Sequence, residues 1–312
     1  MLQSAAVNIF VLMVYKMYKL SHFPTFAEMY PTEKRWQKKL RSYLRYHLYR
    51  FIYARYCREL MYFLHLHPLW ETLFTRSPYR INTLLAKYCD KRFGVKRRLN
   101  AISANFTLAE QKFTYAKAQS LIREERLLLA TLTDELDLYL NINKIDPFEG
   151  FFSLNIIDRR QESIYDASFA FLPDNTLLIT SIQGPHYAQA QAVIRAATKN
   201  LHGIRPMFML IHAFQLLSET LGCELCGIPH KHQAKYRWND SSKLVFHYDT
   251  FWQENHGVYD KQRGYWLLPR TLARKSEAEI PSKKRSMYRK RYDMLDSTAR
   301  QIRQFFAAEN VA

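Results

Sequence analysis

Cys223, Cys226, His230 and His232 stand within ten residues of one another in the run CELCGIPHKH. These side chains are the donors zinc prefers, and Cys-x-x-Cys is the spacing of a zinc knuckle. Their setting favours a different reading. The run from Pro206 to Leu221 is apolar at helical spacing, Gly222 suits a helix C-terminus, and the cysteine run then reads as a buried strand. Strand side chains alternate faces, so cysteines three apart point to opposite sides unless the backbone turns. Small apolar cysteines in a sheet are therefore expected, and no metal ligand is assigned.

A second group lies in TKNLHGIRP, residues 198 to 206. Pro206 suits a first helical turn, whose free N–H groups face the preceding loop. Lys199, His202 and Arg205 add positive charge at that end, with Gly203 to make the turn. The chemistry this spacing allows is capture of a phosphate or carboxylate; the alternative is a plain turn whose cations pair with acidic neighbours. A third group is HYDTFWQE, residues 247 to 254. On a helix His247, Phe251 and Glu254 share one face, and Asp249 and Trp252 another, so Asp249 and Glu254 are the candidate acid–base carboxylates. Aromatic residues at such spacing also suit a core. Neither a Ser-His-Asp arrangement nor a phosphate loop is present.

These groups need elements to position them. The run KRWQKKLRSYLRYHLYRFIYARYCRELMYFL, residues 34 to 64, has neither Gly nor Pro and is expected to be helical. Trp36, Leu40, Leu44, Leu48 and Phe51 form one stripe on it, and Lys34, Lys38, Arg41 and Arg45 another. A third row holds Tyr46, Tyr49, Tyr53 and Tyr56. Cations beside aromatic and apolar residues suit an anionic lipid headgroup layer, and also stacking on nucleic acid bases; the plain alternative is a core helix with a solvated basic face. Residues 107 to 140 read as mostly helical, although ELDLYLNI could begin a sheet. Strands are expected at 151 to 157, 164 to 172 and 176 to 182, the last two as a hairpin turning at Pro173 to Asn175. After the 206 to 221 helix and the cysteine strand come a short helix over 242 to 257, two strands or a strand and loop over 258 to 269, and an amphipathic helix from Lys283 to Phe306.

With 312 residues, 48% of them hydrophobic, the chain can build a substantial core. The charge of +18 is uneven: residues 31 to 100 hold 17 Lys/Arg against 4 Asp/Glu, residues 270 to 303 hold 11 against 4, and residues 101 to 269 hold 16 against 18. Two basic flanks around a near-neutral centre suggest a core held near an anionic partner, with membrane lipid, a lipopolysaccharide precursor and nucleic acid as candidates. Three regions are expected: a basic helical region over 1 to 100, a mixed α/β core over 101 to 270, and a basic C-terminal helix over 271 to 312. Four cysteines are too few for a disulfide framework, so a reducing cytoplasm is expected, with the protein peripheral on the inner membrane. Residues 5 to 15 are apolar but too short to span a bilayer as a helix, and read as a helix start or a weak membrane contact.

The segments SIQGP, ATKNLHGIRPMFML, YDTFWQENHG, WLLP and KKRSMYRKRY together resemble the VirK/YbjX family of Gram-negative bacteria, over roughly residues 30 to 305. The resemblance implies a part in virulence, envelope integrity and tolerance of cationic antimicrobial peptides, and it implies no particular catalytic residue. A second resemblance concerns fold. Hairpin, helix, strand, shorter helix and final strand pair are similar to the central order of the GNAT acyltransferases, so the expected class is α+β with a mixed, mostly antiparallel sheet. That likeness implies acyl-CoA or an acyl carrier as the ligand. The place of its cofactor loop is Asn200 to Arg205, where Gly203 is the one glycine of the motif retained and Arg205 stands where a small residue is usual.

Overall fold

A computed structural model describes residues 22–31, 34–185, 189–236 and 246–307. The apolar run at 5 to 15 and residues 242 to 245 of the helix expected over 242 to 257 lie outside them. Helices come first: α1 (Phe26–Met29), α2 (Trp36–Ile52), α3 (Ala54–Leu66), α4 (Pro68–Arg76), α5 (Asn82–Leu85), α6 (Val95–Phe113) and α7 (Tyr115–Glu124). A five-strand meander follows: β1 (Arg126–Thr133), β2 (Leu136–Ile142), β3 (Phe152–Asp158), β4 (Ser163–Leu172) and β5 (Thr176–Gln183). Then come α8 (Ala190–Asn200), α9 (Pro206–Leu221), β6 (Glu224–Gly227), α10 (Tyr248–Glu254), β7 (Val258–Asp260), β8 (Tyr265–Leu267) and α11 (Arg285–Phe306).

The eight strands form one sheet in the order β1-β2-β3-β4-β5-β6-β8-β7. Every neighbouring pair is antiparallel except β5 and β6, which run parallel because α8 and α9 intervene and return the chain. The protein is therefore α+β, with a mostly antiparallel sheet and a C-terminal helix. The α9 helix begins at Pro206 and ends on Gly222 in the left-handed region at φ 64°, as its sequence predicts. The β4–β5 hairpin turns through Asp174 and Asn175, both at positive φ, a conformation that short polar side chains tolerate.

Three sequence expectations change. The run from 34 to 64 is two helices, broken at Tyr53, which ends α2 and begins α3. Cys57, Leu60 and Leu64 of α3 are buried, whereas α2 buries only Tyr46, so the two segments follow different surfaces. Residues 126 to 133 are strand rather than helix, because pairing with β2 outweighs the helical leaning of a Leu-rich run. Position 100, expected as a domain boundary, falls inside α6. The N-terminal helices share the sheet's core across it: Trp70 of α4 stacks on Phe106 of α6 at 4.7 Å, and Phe74 meets Phe151 at 5.5 Å.

The C-terminal helix α11 packs Met294, Leu295, Ala299 and Ile302 against β1 and α9. Its Gln301 side chain bonds the main chain of Thr131 in both directions, at 2.9 and 3.1 Å. That occupies backbone groups of an edge strand that would otherwise be open to pairing with another chain.

Candidate functional site

The α2 helix docks by its tyrosine row. Tyr46 is 2% exposed and Tyr49 and Tyr53 are half-buried, and all three pack on the core. The apolar stripe consequently faces out, with Trp36 70% exposed, Leu44 60%, Leu48 55% and Phe51 83%. Lys34, Lys38, Arg41 and Arg45 are also exposed and run alongside it. An outward apolar stripe of this size beside a row of cations is unlike the face of a core helix. On α3, Tyr62 and Leu66 are likewise exposed.

Lys199 stands in the last turn of α8, and His202, Gly203 and Arg205 follow in the connection to α9. Lys199, Gly203 and Arg205 are exposed, and among the described residues neither Lys199 nor Arg205 makes an ion pair. His202 and Gly203 both lie in the left-handed region, at φ 51° and 83°. Arg291 of α11 braces the turn, donating from Nε and Nη2 to the His202 carbonyl at 3.2 and 2.9 Å. Partial burial lowers the His202 pKa, and the cations Lys290 and Arg291 push the same way. The turn is thus more positive than its own sequence shows.

The expected acid–base carboxylates are not brought together. Asp249 Oδ1 accepts from the His230 backbone N–H and from Trp266 Nε1, both at 2.9 Å, tying the turn after β6 to β8. Glu254 is exposed at the far end of α10. His247 accepts from the Thr250 N–H as a helix cap and stacks on His230 at 4.7 Å. Cys223 and Cys226 are free and buried, and burial pushes the Cys226 thiol up to about 12. Among the described residues no group of three His, Cys, Asp or Glu side chains is placed to hold a metal ion.

Another constellation escaped the sequence reading. Asn155, Asp166 and Gln183 pair across β3, β4 and β5, and Ser153, Ser168 and Ser181 form the next such row on the same face. Glu149, at the end of a 3-10 turn, accepts from Ser181 Oγ at 3.0 Å and from Gln183 Nε2 at 2.7 Å, with Lys235 Nζ at 3.1 Å. Asp166 accepts from Ser153 Oγ at 2.8 Å. Burial pushes the Asp166 carboxyl up to about 7, against the Ser153 bond and with help from Glu149. Burial likewise raises Glu149, opposed by Lys235. Burial disfavours the Lys235 charge, but Glu149 and Asp146 more than offset this and raise its pKa. A carboxyl that titrates near neutrality, as Asp166 does, can hold and pass a proton. Just beyond, β5 parts from β6 after Ile179, and the buried Tyr248 hydroxyl takes both main-chain groups of Ile182, at 2.9 and 3.2 Å. The sequence signal was polar residues two apart on three successive strands.

The family described as "Protein of unknown function (DUF535)" matches residues 34–304. The chain belongs to the DUF535 family. It is 50% identical to an uncharacterized protein of Haemophilus influenzae over 90% of this chain and 97% of that one. It is 29% identical to YbjX of Escherichia coli K12, over 77% of this chain and 76% of YbjX, so the VirK/YbjX resemblance holds. It is also 28% identical to the membrane protein LapB of Mannheimia haemolytica, over 70% of this chain and 96% of LapB. No solved structure matches this DUF535 chain. No helix among the described residues is long and apolar enough to cross a membrane.

Proposed function

We propose that this chain is a peripheral protein of the inner membrane that lays α2 on an anionic lipid surface and serves envelope maintenance and antimicrobial-peptide tolerance. The observation that carries the reading is the outward stripe Trp36, Leu40, Leu44, Leu48 and Phe51 beside Lys34, Lys38, Arg41 and Arg45. Ring and cation each find a preferred layer there, and the cations are drawn to anionic headgroups. LapB, a relative named as a membrane protein, supports it. Trp36 fluorescence tests it: anionic vesicles are expected to shift the emission to the blue, and Trp36→Phe to abolish that shift.

A second reading is an acyl ligand, acyl-CoA or an acyl carrier, bound by the core, with acyl transfer to an amine as the reaction. The parallel β5–β6 pair within a sheet of antiparallel neighbours supports it, as do the buried Glu149 and Asp166. The α8–α9 turn does not fit a coenzyme A diphosphate. Arg291 Nη2 stands 2.9 Å from where a Gly203 side chain would begin, so the space over that glycine is filled. Mass spectrometry of lipids and acyl donors co-purified with the chain tests this reading, which predicts a bound acyl species.

A further inference from the structure

Two segments without a single acid meet on one surface. No Asp or Glu stands between Asp174 and Glu219, and none between Glu279 and Asp293. The first of these runs carries α8 and the start of α9, and the second carries the start of α11. Arg291 joins them, since it donates from Nε and Nη2 to the His202 carbonyl at 3.2 and 2.9 Å. Met287 packs over the same turn, with its sulfur 3.3 Å from where a Gly203 side chain would begin.

The surface is cationic and its charge is not spent. Arg195 and Lys199 lie one turn apart on α8, Arg205 precedes α9, and Lys290 lies beside Arg291 on α11. All four are exposed, and among the described residues none of them makes an ion pair. The acid closest along the chain is Asp293, exposed one turn beyond Lys290. His202 reports the local field: partial burial lowers its pKa first, Lys290 and Arg291 lower it further, and no carboxylate opposes them. An ordinary solvated face mixes both signs of charge, whereas this one gathers a single sign from segments 89 residues apart and braces them together.

The kind of partner follows from what the surface lacks. Arg291 Nη2 and Met287 fill the space over Gly203, so the turn offers a face and not a pocket for a small anion. None of the large hydrophobic side chains exposed among the described residues lies on α8, α9 or α11, so nothing here enters lipid chains as the α2 stripe could. The Tyr288 ring is covered by the Arg291 guanidinium at 4.3 Å and is not open to stack on a base. A duplex engages roughly six to ten phosphates along a track, more than this short face can meet. Carboxylates spaced along a helix match it, and arginine takes them in a two-bond fork.

We propose that this face docks an acidic helix of a partner protein, whose carboxylates meet Arg195, Lys199, Arg205 and Lys290. The contact goes beyond the membrane reading and does not depend on it.

Fluorescence anisotropy of the full chain with a labelled helical peptide bearing Glu along one face tests it, beside the same peptide with Gln at those positions and a labelled short DNA duplex. The Glu peptide is expected to bind at least about tenfold more tightly than the Gln peptide. Arg205→Glu combined with Lys290→Glu is expected to weaken it about a hundredfold, because like charges then face each other, and a peptide with Lys in place of Glu is expected to restore binding. Arg58→Glu combined with Lys96→Glu makes the same change of net charge outside the face and is expected to leave binding of the Glu peptide unchanged. Should the Arg205 substitution lower the melting temperature, Arg195→Glu with Lys199→Glu, on the exposed side of α8, makes the same test. Equal binding of the Glu and Gln peptides overturns the proposal, as does an equal loss in the Arg58 and Lys96 variant. Tighter binding of the duplex than of the Glu peptide overturns it in favour of a nucleic-acid surface.

Discussion

The Tyr46 hydroxyl donates to the Pro24 carbonyl at 2.7 Å, and that bond fixes which face of α2 turns outward. Arg50 Nη1 donates to the same hydroxyl at 3.0 Å, so a buried oxygen on the tyrosine row is fully engaged. Either the tyrosine row or the apolar stripe of α2 could satisfy a helical period. The buried Tyr46 settles the choice and leaves the stripe in solvent.

Tyr46→Phe should therefore destabilise the N-terminal helices by about 1 kcal/mol, since it leaves a buried carbonyl without its donor. Thermal unfolding followed by circular dichroism should show a melting temperature lower by a few degrees. An unchanged value would mean that the Pro24 bond does not hold α2.

Arg205 and Gly203 should separate a ligand site from a folding signal. Arg205 is exposed and caps nothing with its side chain, so Arg205→Gln should melt near normally while losing the antimicrobial-peptide tolerance proposed for the chain. Gly203→Val should lower the melting temperature, because φ is 83° and the new Cβ would lie 2.9 Å from Arg291 Nη2. If Arg205→Gln unfolds instead, the turn's role is structural.

Stability should fall as pH rises through the window set by Asp166. Its carboxyl goes from an ordinary 3.8 in the unfolded chain to about 7 when folded, so between those values the folded chain holds a proton that the unfolded chain releases. The contribution is fully present below the unfolded value and is lost as pH passes the folded one, with a slope of at most about 1.4 kcal/mol per pH unit. Glu149, raised in the same direction, adds to it. Asp166→Asn, which mimics the protonated acid, should flatten the profile of melting temperature between about pH 5 and pH 8 and raise its alkaline end. An unchanged slope would show that Asp166 is ionised throughout.

Much of the core was legible because its signals were local. The run 206 to 221 carries a Pro start, an unbroken apolar face and a Gly stop, and the β4–β5 hairpin carries its own turn residues. The strand β1 was not legible, because RLLLATLT has no alternation of its own and becomes a strand only by lying between β2 and α11. The sidedness of α2 was hidden for the reason given by Tyr46: periodicity finds faces but does not say which one meets the core. Polar residues two apart on β3, β4 and β5 mark the floor of the Glu149 constellation, but no spacing in the sequence shows that Glu149 and Lys235 meet there. Asp249, chosen for its place on a helix, proved to hold His230 and Trp266, partners more than fifteen residues away.

The central claim is best tested by vesicle partition of the full chain against salt, with and without the four Gln substitutions at Lys34, Lys38, Arg41 and Arg45. Each cation near an anionic surface contributes about 1 kcal/mol, so the quadruple variant should bind phosphatidylglycerol vesicles roughly a thousandfold less tightly at low salt. Wild-type binding should itself weaken as the screening length shrinks toward about 3 Å at 1 M salt. Neutral phosphatidylcholine vesicles should retain only weak binding through the apolar stripe. Equal binding of the wild type to neutral and anionic vesicles, or a quadruple variant indistinguishable from it, would contradict the account.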